Sequence, residues 1–280
     1  VRRGVHGWCR RSRPFNGLVA ALGMRLGREE CLSLPQYAGL CPTGRCNASC
    51  LFCSVTGNRE GILKRELPLD RLRAFLAPMA GTARLYGLEG NGEPTIYSRF
   101  DDLVRLLTER DAELYLITNG ERLTPAQIDE LTVGNRLNSV NISLNAATGA
   151  THALVMRLKH FDTVLDNIRR LTQWRPEQNH PPNVSVSFVV HAQNVHEVQD
   201  FLRLAEGDLR ADKVILRALS ELANEDGAIE DFRELVPREG DIQDMIESVR
   251  EYLELIPRTS VIEFHPEHYK VVRPDPQDRI

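Results

Sequence analysis

Cysteine is scarce in this 280-residue sequence: there are six, and none follows Cys53. So few, in a chain long enough for a sizeable core, exclude a disulfide-stapled scaffold. Aromatic residues are also few, at 6%, and the formal net charge is only −4. With no excess of positive charge, no overall field draws the chain to nucleic acid or to a membrane surface. No apolar run is long enough to span a bilayer and no signal-peptide pattern is present, so the expected location is cytoplasmic. The sequence opens on Val1 rather than Met, which reads as a trimmed start. What remains is an ordinary globular balance, 42% hydrophobic and 26% charged.

Three segments are expected. Residues 1–34 carry Arg2, Arg3, Arg10, Arg11 and Arg13 and read as a basic N-terminal arm. Such like-charge leaders are usually solvated and loosely packed; the sharper alternative is a grip on phosphate or nucleic acid. Residues 35–220 alternate β-rich runs with 3.6-period amphipathic stretches. The strands predicted are Gln36–Leu40, Ala83–Leu88, Leu114–Ile117, Ser139–Leu144, Val184–Val190 and Lys213–Arg217. Helical faces run through Leu69, Leu72, Phe75 and Leu76, through Phe100, Leu103, Val104 and Leu107, and through Phe161, Val164, Leu165, Ile168 and Leu171. Thr124-Pro125-Ala126-Gln127 and Asn194-Val195-His196-Glu197 have the form of helix-starting capping boxes.

Strand–helix alternation implies right-handed βαβ units and a parallel sheet. Six units fall short of a closed eight-fold barrel. The predicted fold class is therefore α/β, a partial (β/α)6 TIM-like barrel with an N-terminal arm and a C-terminal extension. That extension, residues 221–280, holds an acidic loop, a helix capped by Asp241 with Ile242, Met245, Ile246, Val249 and Leu253 on one face, a seventh strand at Thr259–Phe264, and a tail.

Half of the cysteines sit in one place. Cys46, Cys50 and Cys53 form C-x3-C-x2-C just after the first strand, behind a Pro42-Thr43-Gly44 turn. Three thiolates on a short loop suit a soft metal. Structural zinc sites complete four ligands, usually from two separated pairs, and no second pair is present. Three thiolates on a four-iron cluster leave one iron open to a small chelator. Cys9, Cys31 and Cys41 are irregularly spaced and read as isolated thiols.

With an aromatic residue, Phe52, just before the third cysteine, this loop resembles the signature of the radical S-adenosylmethionine (SAM) superfamily. The resemblance implies a [4Fe–4S] cluster on Cys46, Cys50 and Cys53, SAM on the open iron, and hydrogen abstraction from substrate after reductive cleavage of SAM. It also implies an electron donor such as a flavodoxin or ferredoxin. Further motifs extend it. Gly90-Asn91-Gly92-Glu93, with Pro94, resembles the family's G-G-E-P segment, where glycines admit the methionine amino group and Glu93 can accept from an ammonium. Thr118-Asn119-Gly120 resembles a T-N-G near the floor of the site, although a turn explains it equally well. Ser143 and Asn145 stand where the family often has S-L-D, with the serine near the SAM ribose. Asn145 replaces the acid, so a role needing a carboxylate there does not carry over, while an amide oxygen can still accept from a ribose hydroxyl.

Val190 is the expected apolar wall for adenine. His191 reads as a loop histidine or a substrate contact, and Arg217 as an anion clamp or the partner of a following acid. The resemblance spans about Gln36 to Phe264. It points to the branch whose members often carry a cysteine-rich C-terminal extension; those cysteines are missing here, so one cluster is expected. The expected substrate is a small molecule or a peptide, with membrane excluded and nucleic acid disfavoured by the lack of a basic, aromatic-interleaved stripe. Two rival readings remain: a zinc-binding structural or interaction module, and a radical SAM enzyme that modifies nucleic acid.

Overall fold

The computed structural model describes residues 5, 9, 12–55, 65–109, 112–132, 136–173, 181–219, 229, 232–255 and 260–269. Arg2, Arg3, Arg10, Arg11, most of the acidic stretch after Arg217 and the tail from residue 270 lie outside them. Seven strands form one sheet: β1 (Tyr37–Leu40), β2 (Leu85–Leu88), β3 (Glu113–Thr118), β4 (Leu137–Ser143), β5 (Asn183–Val190), β6 (Lys213–Ala218) and β7 (Val261–Glu263). Each pairs in parallel with the next in chain order. Because the order never reverses, every right-handed crossover delivers its helix to the same side, and the sheet curls away from the helices. β1 and β7 are not paired with one another, so the barrel is open. The partial barrel is as expected, except that the seventh strand belongs to the same sheet as the six.

The crossover helices include α2 (Leu69–Leu76), α3 (Phe100–Thr108), α4 (Pro125–Thr132), α5 (Gly149–Val155), α6 (Phe161–Gln173) and α7 (Val198–Arg203), preceded by α1 (Arg13–Arg25) and followed by α8 (Phe232–Leu235) and α9 (Glu239–Leu255). One continuous core fills the space between helices and sheet. Phe100, Leu103, Val104 and Leu107 of α3 and Val164, Leu165, Ile168 and Leu171 of α6 meet Tyr86, Leu88, Leu114, Leu116, Val140, Ile142, Val184, Val186 and Phe188 there. Phe75 is an exception: it stands 60% exposed, on the outer side of α2.

The start of α4 is the predicted capping box. Gln127 N donates to Thr124 Oγ1 (3.2 Å), and Thr124 N donates back to Gln127 Oε1 (3.1 Å). The second predicted box does not form. Asn194 makes no side-chain cap; its Oδ1 accepts from His191 N (2.8 Å), and its Nδ2 reaches Asn145 O and Val189 O. α9 begins at Glu239, so Asp241 lies within its first turn rather than capping it.

The arm also departs from a loose leader. Ser12 Oγ accepts from Phe15 N and starts α1. Asn16, fully buried, exchanges two hydrogen bonds with the Leu34 backbone (3.0 and 2.7 Å), and Arg13 donates to Gly81 O. Amide pairing, rather than an apolar face, holds this helix: Leu18 and Leu22 remain exposed. That is why hydrophobic periodicity overlooked it.

Candidate active site

Pleat alternation gives the sheet a second, concave face of different chemistry. Ser139, Asn141 and Ser143 of β4 and Ser185, Ser187 and Val189 of β5 point there. Tyr37, Gly39, Gly87 and Tyr115 continue it across β1–β3. Gly87 leaves room for a neighbour's side chain, since a Cβ on it would collide with the Tyr37 hydroxyl. That hydroxyl donates to Glu89, and burial together with the carboxylate pushes the Tyr37 phenol up to about 12. On the far wall Arg217 is exposed beside Val189, and Lys213 pairs with Glu263, which holds that carboxyl below its usual range.

The three clustered cysteines follow β1 directly, at the strand C-terminal rim where barrel enzymes place their sites. All three are half-buried. The loop is hydrogen-bonded to the segment after α5, with Ser49 N to Met156 O (3.3 Å) and Leu51 N to Val155 O (2.9 Å). Ala48 is buried there with Val155, Met156 and Leu158, and Cys46, Cys50 and Phe52 pack around them. Phe52 leans on His191, with ring centroids 5.4 Å apart. His191 is a buried loop residue. Burial lowers its pKa to about 4, its Nδ1 accepts from Gln193 N, and its Nε2 has no partner among the described residues.

Gly90 to Glu93 lie flush against the approach to this loop. Gly90 has φ +123°, and a Cβ on it would come within 2.7 Å of the Cys41 Cβ. A Cβ on Gly92 would strike Thr43 O and lie 2.6 Å from Arg45 O. These glycines are needed first for chain-to-chain contact, whatever else approaches them. Asn91 is exposed. The Glu93 carboxylate, expected to face an ammonium, is buried and accepts from Thr95 N, Thr95 Oγ1, Thr118 Oγ1 and Asn119 N (2.6–3.1 Å). Burial pushes its pKa up, and those donors oppose the rise. Glu93 and Thr118 thus lock the β2 and β3 ends together.

Asn119 serves the cysteine loop itself. Its Nδ2 donates to Asn47 Oδ1 (2.9 Å), and Asn47 Nδ2 donates to Glu121 Oε2 (2.9 Å). Glu121 went unnoticed in the sequence, and Glu197 was read only as part of a capping box; its buried carboxylate accepts from Ala147 N, Thr148 Oγ1 and Thr151 Oγ1 (2.6–2.7 Å) at the start of α5. An S/T/N-x-x-E reading had assigned Glu197 to a local cap, so its distant partners were hidden. Arg157, also unremarked, places an exposed cation next to the segment beneath the loop, on a backbone with φ 54°.

Two expectations for the rim need correcting. Val190 faces the helices, within the convex core, and Val189 and His191 are the neighbours that turn the other way. Asn145, at φ 57°, spends its side chain internally: Oδ1 accepts from Val189 N (2.7 Å) and Nδ2 lies 3.2 Å from Met156 Sδ. Ser143 stays half-buried on the concave face. Among the described residues, no three His, Cys, Asp or Glu side chains converge on a single ion. Zinc would need its thiolates about 2.3 Å from one centre, whereas a multi-iron cluster takes each thiolate on a different iron, around a wider body.

Known proteins resemble this chain in sequence and in fold. Mycofactocin maturase MftC of Mycolicibacterium smegmatis is 29% identical over 164 residues, covering 58% of this chain and 40% of the relative. PqqA peptide cyclase of Bradyrhizobium diazoefficiens is 28% identical over 187 residues, 66% of this chain and 47% of the relative. The chain thus spans less than half the length of these curated relatives. Streptococcus suis SuiB bound to the precursor peptide SuiA superposes with a TM-score of 0.65 at 17% identity, over 86% of this chain and 52% of that one, and shares the fold. No helix among the described residues is long and apolar enough to cross a membrane. The sequence profile of the Radical SAM superfamily matches residues 40–205. That match covers more than half of the sequence and includes all three clustered cysteines, so the chain belongs to the radical SAM superfamily of enzymes.

Proposed function

We propose that this chain holds one [4Fe–4S] cluster on Cys46, Cys50 and Cys53 and uses it with SAM to abstract hydrogen from a peptide or small-molecule substrate lying against the concave face. The site would work in the cytoplasm, with electrons from a flavodoxin- or ferredoxin-type donor. When bound, the cluster and SAM supply reductive carbon–sulfur cleavage and hydrogen abstraction, chemistry that side chains cannot perform alone.

The protein's own residues have narrower tasks. The three cysteines provide thiolates from one pinned loop. The exposed backbone around Gly90 and Asn91 and the hydroxyl of Ser143 offer polar contacts to SAM. Phe52 over His191 closes one side against water. Arg157 offers a cation for a carboxylate. The observation that carries the reading is the position of the cysteine loop, fastened at the rim of an open barrel whose inner wall is polar. A peptide is the favoured substrate because MftC and the PqqA cyclase are named for peptide or cofactor maturation and SuiB is captured with a peptide. The zinc module leaves the Radical SAM superfamily match over residues 40–205 unexplained.

The test is anaerobic reconstitution with iron and sulfide, reduction, and detection of 5′-deoxyadenosine from SAM. About four irons per chain with deoxyadenosine formed is the expected result, and Cys50→Ala should abolish both. Turnover retained in that variant, or tightly bound zinc without cleavage, would overturn the reading.

A further inference from the structure

The loop between the first two proposed cluster cysteines is tied down by a closed ring of hydrogen bonds between Asn47 and a pair of residues more than seventy positions later, Asn119 and Glu121. Asn47 adjoins Cys46. It gives its Nδ2–H to Glu121 Oε2 and takes the Asn119 Nδ2–H on its Oδ1, both at 2.9 Å. Glu121 N in turn donates to Asn119 Oδ1 at 3.1 Å and completes the ring. The other carboxylate oxygen, Oε1, accepts from Lys159 N and His160 N (3.2 Å each). Those residues follow directly on Met156, the segment to which the loop backbone is hydrogen-bonded. Glu121 is 8% exposed and Asn119 5%. The Arg122 Nε lies 3.8 Å from Glu121 Oε2, from an exposed side chain.

We propose that Asn47, Asn119 and Glu121 are positioning residues that hold the cysteine loop in its cluster-ready shape before any iron arrives, and that the Glu121 carboxylate sets how readily the cluster is reduced. The inference rests on the cluster assignment of the preceding section. Asn47 suits the task because only an amide of this length donates to a carboxylate and accepts from an amide at once. An aspartate would set carboxylate against carboxylate, and an alanine would leave Asn119 and Glu121 bonded to each other but with no hold on the loop. Glu121 adds negative charge one hydrogen bond from the residue beside Cys46. In a site of low dielectric, a fixed anion disfavours adding an electron nearby. Groups that merely orient metal ligands shift metal affinity by about 10- to 100-fold when removed.

The test uses the full chain and the variants Asn47→Ala and Glu121→Gln. Three readouts are taken: amide hydrogen exchange across residues 46–51 in the iron-free protein, the rate at which a ferrous chelator strips the reconstituted protein, and the midpoint potential of the cluster. Asn47→Ala should speed exchange in the loop while leaving β5 protected, and should raise the stripping rate about ten-fold. Glu121→Gln keeps an acceptor for Asn47, so it should strip more slowly than Asn47→Ala. It should move the potential in the positive direction, which loosening of the fold alone would not do. Wild-type exchange, stripping and potential in both variants would overturn the clamp. If the wild-type chain takes up no cluster, the functional reading fails, and loop exchange in the iron-free protein still decides the clamp by itself.

Discussion

Along β5, Val184, Val186 and Phe188 meet the helices, while Ser185 and Ser187, one residue out of step, meet the barrel interior. The same division runs across the sheet. The convex side is closed chiefly by aliphatic and aromatic packing, with a few buried polar links such as Asn167 to the Gly120 and Leu123 carbonyls. The rim of the concave side is held almost wholly by polar side chains: Glu93 joins β2 to β3, Asn145 and Asn194 join β4 to β5, Glu197 holds the start of α5, and the Asn47 ring holds the cysteines. Apolar packing is non-directional and tolerates small shifts, so it suits a scaffold. Hydrogen bonds to charged groups fix distance and direction, so they suit the rim that carries the three clustered cysteines. Stability and site geometry are thus entrusted to different forces on opposite faces of one sheet.

This contrast is open to direct attack. The largest expected effect is Phe188→Ala on the convex face, where the fully buried ring lies 4.7 Å from that of Phe201. It should cost about 3–5 kcal/mol in urea unfolding, while neighbouring Ser187→Ala should cost less than about 1 kcal/mol. Equal costs would break the comparison.

Acidification comes next. His152 is fully buried with neither ring nitrogen partnered among the described residues, and burial lowers its pKa to about 4; His191 behaves alike. Between about pH 6.5 and 4 the unfolded chain takes up protons that the folded one refuses, so stability falls as pH falls. Each histidine contributes up to about 3 kcal/mol across that window. His152→Leu should flatten the pH dependence of the melting temperature, and an unchanged slope would exclude His152 as a source.

Gly92→Ala should have a smaller effect on folding than Phe188→Ala and a large one on the site. Its Cβ would press on the Thr43 and Arg45 carbonyls, at an overpacking cost of about 1–3 kcal/mol. The loop approach should shift and cluster retention should drop. Retention at the wild-type level would mean that the rim yields as easily as the core.

Much of the scaffold was legible because it repeats. Short β-rich runs located all seven strands within a few residues, and the 3.6 period located α3 and α6. The cysteine spacing was legible because its ligands are local. The clamp was not: Asn47 and Glu121 are 74 residues apart, and neither has a pattern of its own. Val190 was placed on the wrong face because the strand was followed to its end without counting the pleat. Asn194 was read as a cap because a local partner was assumed, although its side chain reaches back 49 residues to Asn145.

The fastening of the cysteine loop also orders events in time. In a chain synthesised from its N-terminus, Cys46, Cys50 and Cys53 emerge just after β1 and before the other six strands. The groups that hold their loop, at Asn119, Glu121, Val155 and Met156, emerge more than sixty residues later. Until β4 and α5 have left the ribosome, the thiols belong to an unrestrained segment. On the cluster assignment proposed above, a delivery factor would meet a largely finished barrel rather than a nascent peptide.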